Sequence, residues 1–179
     1  MAQLDLTEAM DPAYLADLEK LPIDELRARR AACAELEVEL SYLRRLAQAR
    51  IDLVLDESER RRRGEPEPER EQLVERLARV LGEHDRSQGP GRLPAFLAPA
   101  EEAQLRLAAR AEELLPSGQL ATLSALPSAR LGELLGALSQ LERSVSNERR
   151  SLHDILDRLQ EELVRRYRSG EATVVTLLG

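Results

Sequence analysis

Five polar side chains, Glu37, Ser41, Arg44, Gln48 and Asp52, stand at offsets 0, 4, 7, 11 and 15 in one uninterrupted stretch of helix-forming residues. At about 100° per residue these offsets fall within an arc of roughly 80°, so a helix lines them up as a single stripe. Arg44 brings five donors in a rigid fork that fits phosphate oxygens or the O6 and N7 edge of guanine. Asp52 is an acceptor suited to the N1 and amino donors on guanine's other edge, and Ser41 fits a phosphate or sugar oxygen. Glu37 and Gln48 either meet a ligand edge or hold the arginine in place, Glu37 from seven residues away. Together the groups can recognise both the anionic and the guanine parts of a nucleotide.

The pattern returns 105 residues later as Glu142, Ser146, Arg149, His153 and Asp157, with His153 where the first copy has Gln48. One such stripe is common on any solvated helix, where Glu and Arg three or four residues apart stabilise by a few tenths of a kcal/mol. Two copies in phase with a repeated apolar seam are not. About a quarter turn from the first stripe run Leu36, Leu40, Leu43, Ala47, Ile51 and Val54. Leu141, Val145, Leu152, Leu156 and Leu159 match Leu36, Leu40, Ala47, Ile51 and Val54, and each seam calls for a partner helix. Helix entries also correspond, Leu21-Pro22 with Leu126-Pro127, and so do the basic exits, Arg60, Arg61 and Arg63 with Arg165, Arg166 and Arg168.

These stripes need long, straight elements. The pattern predicts an all-α chain, a single helical domain over 1–179, with a first motif helix over 24–62 and a second over 128–168. Asp24 and Ser128 are the expected N-caps, and Gly64 and Gly170 the stops. Gly132 and Gly136 either weaken the second helix or admit a close neighbour. Shorter helices are expected over 69–82 and 100–115, separated by a Gly- and Pro-rich loop that holds His84 and is anchored by Phe96 and Leu97. Asp11-Pro12 opens a short helix through Leu18, which packs on a longer element or stays an arm. The apolar tail 173–178 docks on the bundle or frays. If the two long helices pair antiparallel, their stripes are related by a local pseudo-twofold, as in a homodimer fused into one chain.

Composition narrows the function. With 33% charged and 2% aromatic residues and no tryptophan, the chain has the make-up of long helices and coiled coils. A single cysteine, Cys33, supplies neither a disulfide nor a metal site and is expected to be a small buried or half-buried side chain. The lack of an N-terminal basic and apolar signal or of a long apolar run points to a cytoplasmic protein with no membrane contact. A net charge of -7 does not favour nucleic acid, and the arginines at the two helix ends suit the exposed carbonyls there or else contribute to a partner surface or an anionic ligand. No nucleophile with its base, no metal cluster and no Gly-rich phosphate loop is evident, so neither catalysis nor a bound cofactor is expected.

Written as Glu-x3-Ser-x2-Arg-x3-Gln-x3-Asp and carried twice on long helices, the motif resembles the RsiG family, actinobacterial anti-sigma factors that bind cyclic di-GMP. The first copy matches throughout, and the second departs only at His153. The resemblance implies an antiparallel coiled coil of the two motif helices. It implies two molecules of cyclic di-GMP per chain, one at each motif, as a partially intercalated dimer. It also implies a monomer that, once loaded, sequesters a sporulation sigma factor resembling WhiG. A family form with one motif per chain works as a homodimer, in keeping with a fused duplication. On this footing Arg44 and Arg149, with Asp52 and Asp157, carry most of the guanine and phosphate recognition. Glu37, Ser41, Gln48, Glu142, Ser146 and His153 complete it. A neutral imidazole still gives and takes a hydrogen bond, so His153 makes the halves inequivalent and one of them sensitive to pH. Without a ligand, the same sequence reads as a structural or adaptor coiled coil whose partner binding ignores nucleotides. A domain for another guanine nucleotide, or a nucleic-acid factor, suits the acidic charge poorly.

Overall fold

The computed structural model describes residues 4–66 and 122–170 of the chain, together with residues 103, 106, 107, 109, 112, 113 and 116. All regular structure among these residues is helical. The expected helix 69–82, the loop with His84 and Phe96, and the tail 173–178 lie outside them. Within the expected helix 100–115, the described residues from 103 to 113 are helical.

At the N-terminus, side-chain carboxylates compete for local amides and the chain breaks into short pieces. Asp5 accepts from the Glu8 amide at 2.8 Å and caps α1, Leu6–Met10. Asp11 accepts from the Ala13 amide at 2.8 Å, so Pro12–Leu15 is a tight 3-10 turn and not the longer helix expected from Asp11-Pro12. Asp17, at φ +53, breaks the path again before a second 3-10 turn, Leu18–Lys20.

The two long helices, α2 (Ile23–Arg63) and α3 (Ser128–Ser169), begin at positions 105 residues apart. Each begins behind a proline whose carbonyl takes an early amide, Leu26 on Pro22 at 3.1 Å and Leu131 on Pro127 at 3.2 Å. Asp24 and Ser128 are thus not the caps: both lie within the first helical turn, where Asp24 pairs with Arg27. Positive-φ glycines follow both helices, Gly64 at φ +68 and Gly170 at φ +78. After α2 the Gly64 amide reaches the Arg61 carbonyl and the Glu65 amide the Arg60 carbonyl, the paired bonds of a Schellman motif.

The chain divides into two compact units, residues 1–40 with 147–179 and residues 41–146. In the first, α2 and α3 segments run antiparallel: Arg27 donates to the Tyr167 hydroxyl at 2.6 Å, while Glu37, later in α2, meets Arg149, earlier in α3. Leu26, Cys33, Leu36 and Leu40 are buried there, as are Leu152, Ile155, Leu159 and Leu163. The N-terminal segment packs on α2, with the Tyr14 hydroxyl on the Arg29 carbonyl, Arg29 on the Tyr14 carbonyl, and the Cys33 thiol on the Tyr14 hydroxyl.

In the second unit the segments are again antiparallel, with Arg44 on Glu142 and Arg61 on Ser128. Val54, Leu123, Leu131, Leu134 and Leu138 form its core, flanked by Ile51, Leu53, Leu126 and Leu135. Ala103 and Leu107 are buried, and Arg50 reaches Glu112 at 2.9 Å.

Burial follows a seven-residue period through both copies. Leu26, Cys33, Leu40, Ala47 and Val54 are buried, and so are their counterparts Leu131, Leu138, Val145, Leu152 and Leu159. Among the described residues Gly132 and Gly136 admit no close neighbour, since a Cβ at either would meet nothing within 4 Å. They only weaken α3. Gly136→Ala is therefore expected to stabilise the protein by about 0.8–1 kcal/mol. Leu138→Ala, at a fully buried position, should cost about 2–5 kcal/mol. Urea unfolding followed by circular dichroism checks both signs.

Candidate functional site

In the second unit, α2 presents Ser41, Arg44, Gln48 and Asp52, and α3 presents Glu142 and Ser146, all half-buried. One carboxylate oxygen gathers the group. Glu142 Oε1 accepts from Arg44 Nε at 2.8 Å, Ser146 Oγ at 3.0 Å and Gln48 Nε2 at 3.3 Å. Arg44 Nε also lies 3.0 Å from Ser146 Oγ. Burial opposes the charge on Glu142, but the hydrogen bonds from Arg44 and Ser146 outweigh it and hold the carboxyl below its ordinary range. Arg44 is fastened by its Nε edge, and its terminal nitrogens bond no described residue.

The first unit holds the reciprocal arrangement. Arg149 donates to Glu37 Oε1 through Nε at 3.1 Å and Nη2 at 2.6 Å. His153 Nε2 lies 3.5 Å from the same oxygen. As Gln48 does with Glu142, His153 meets the glutamate that receives the arginine. His153 and Asp157 are exposed, whereas their counterparts Gln48 and Asp52 are half-buried.

Adding 105 to Arg44 and subtracting it from Glu142 gives Arg149 and Glu37, so the two pairs are one contact made twice with the helices exchanged. The glutamate that holds each arginine comes from the other motif, not from seven residues earlier on the same helix, which was one of the two roles the sequence left open for it. Seven residues rise about 10 Å along a helix, whereas an antiparallel neighbour brings a carboxylate alongside. Of the ten stripe residues, the second unit brings together Arg44, Gln48, Glu142 and Ser146, and the first Glu37, Arg149 and His153. Ser41 and Asp52 share the second unit and Asp157 the first.

Sequence reasoning missed a second duplicated contact. It read the basic helix ends as partners of their own C-terminal carbonyls. Instead Arg61 Nη2 donates to the carbonyls of Leu123 and Ser124, both at 3.0 Å, and Nη1 to Ser128 Oγ at 3.2 Å. Arg166 donates to the carbonyls of Leu21 at 2.5 Å and Leu18 at 2.6 Å. Leu18 and Leu123 open equivalent 3-10 turns, Leu18–Lys20 and Leu123–Ala125. Each arginine is steadied by a glutamate four residues earlier, Glu57 at 2.6 Å and Glu162 at 2.7 Å. One signal was available: both arginines continue the buried seven-residue line, after Val54 and Leu159.

The RsiG-like family matches residues 12–81 and 117–179, most of the chain. The chain belongs to that family. All ten stripe residues, Arg61 and Arg166 lie within the matched segments. No curated protein matches the chain. RsiG-like proteins are regulatory and non-catalytic. Among the described residues, no group of three or more His, Cys, Asp or Glu side chains could hold a metal, and no helix is long and apolar enough to cross a membrane.

Glu162 gives a pH test of this paired chemistry. Hydrogen bonds from Arg165 and then Arg166 prevail over desolvation and lower its pKa from 4.5 to about 2. A depressed folded-state pKa contributes stability that is fully present above pH 4.5 and lost as the pH falls towards about 2. Glu162→Gln should therefore lower the thermal midpoint at neutral pH yet lose less of it across that acid window. Melting curves at several pH values measure the difference.

Proposed function

We propose that this RsiG-like chain is an anti-sigma factor that binds two molecules of cyclic di-GMP, one at each motif, and in the loaded state sequesters a sporulation-type sigma factor resembling WhiG. Family membership supports the general anti-sigma role. The nucleotide part rests on one observation: the motif arginines are held twice over by the same reciprocal pairing, Arg44 with Glu142 and Arg149 with Glu37.

That pairing suits anion recognition. Arg44, fixed through Nε, keeps both terminal nitrogens for a phosphate or for guanine O6 and N7, and Arg149, held through Nε and Nη2, keeps Nη1; ordering each guanidinium before binding lowers the entropy lost on binding. In this reading Arg44 and Arg149 contact the ligand, and Asp52 and Asp157 accept from guanine N1 and its amino group. Ser41 and Ser146 take a phosphate or sugar oxygen. Glu37 and Glu142 act mainly on the arginines, with Gln48 and His153 beside them. Two copies of one half-site, related by exchange of helices, suit a ligand pair with its own twofold symmetry.

Isothermal titration with cyclic di-GMP should give two molecules per chain. Arg44→Ala and Asp52→Ala should abolish binding with the helical circular dichroism signal unchanged. Unchanged affinity in either variant would overturn the stripe assignment. Capture of the sigma factor should require the nucleotide, whereas capture indifferent to it would favour a plain adaptor coiled coil.

A further inference from the structure

We infer that Arg61 and Arg166, outside both motifs, are positioning residues, each of which fixes the local alignment of the α2 and α3 segments within its own unit and so brings that unit's motif arginine opposite its glutamate. The link from this alignment to nucleotide affinity rests on the function proposed above; the alignment itself does not.

The apolar seam alone leaves register weakly specified. Its members, such as Leu40, Ala47, Val54, Leu131, Leu138 and Val145, are all buried aliphatics repeating every seven residues. A slip by one heptad, about 10 Å, would again set aliphatic against aliphatic. Polar groups at a seam position discriminate, because the wrong register leaves them buried without partners. Arg61 and Arg166 are those groups. Each takes the next position of the buried line; Arg166 is only 6% exposed and Arg61 is half-buried. Each ties its helix to the turn ahead of the other helix, through two backbone carbonyls that a slipped partner would withdraw. The lock and the pair it aligns share a unit: Arg61 with Arg44 and Glu142, and Arg166 with Arg149 and Glu37.

Each lock should accordingly act on its own pair. In nitrogen-15 spectra of the full chain, Arg61→Met is expected to move the Arg44 Nε–H resonance and spare that of Arg149, and Arg166→Met to do the reverse. Arg61→Lys should behave like Arg61→Met, because one ammonium does not reproduce a fork spanning two carbonyls and a hydroxyl. If Arg61→Met does not fold, the lysine variant carries the same comparison. An unmoved Arg44 resonance in a folded Arg61 variant, or rescue by lysine, would overturn the proposal and leave a merely stabilising contact. Cyclic di-GMP affinity should fall about tenfold alongside the resonance change. A moved resonance with full affinity would uphold the register lock and count against the nucleotide reading.

Discussion

An arginine drawn to the edge of an apolar seam must be met by an acceptor, because a guanidinium that loses water without gaining a partner is costly. In this chain the acceptor comes repeatedly from the other long helix or from the turn that leads into it. Arg44 takes Glu142, Arg149 takes Glu37, Arg61 takes the carbonyls of Leu123 and Ser124, and Arg166 those of Leu18 and Leu21. Helices of some forty residues with apolar seams are driven to pair in any case. The arginines decide how they pair.

Surface ion pairs contribute little, and the i to i+3 and i+4 pairs around Glu59 and Glu133 belong to that class. The crossed pairs differ in consequence more than in strength. Their geometry exists only in the antiparallel arrangement, so they favour that orientation of a seam that is otherwise permissive. The duplication then makes every such device appear twice, down to the 3-10 turns at Leu18–Lys20 and Leu123–Ala125. The copies are not identical. His153 replaces the amide of Gln48, and the second stripe is open to solvent at His153 and Asp157. The first stripe lies half-covered on α2, whose neighbouring residues Ala49 and Arg50 are themselves buried.

Much of this was legible in the sequence, because helical period and internal repetition are local signals. The two stripes and the seams could be read from spacing alone, and Cys33 was expected to be buried or half-buried from its small side chain in an Ala-rich helical turn. What spacing does not carry is the partner of a side chain across the interface. Glu37 could therefore be read as meeting a ligand edge or bracing Arg44 on its own helix, when it serves Arg149. Arg61 and Arg166 looked like ordinary helix-end charges, since four arginines in a row conceal which one falls on the seam. Capping was misread for a similar reason. Asp24 and Ser128 are good capping types, but Pro22 and Pro127 already supply the carbonyls that start both helices.

The crossed pairing is tested most directly by charge exchange, read as the urea midpoint of the ligand-free protein. Arg44→Glu and Glu142→Arg should each lower the midpoint, and combining them should recover most of the loss, because the pair is re-formed with its signs reversed. Combining Arg44→Glu with Glu37→Arg should recover nothing. Recovery by the same-helix combination, with none from Arg44→Glu with Glu142→Arg, would contradict the account.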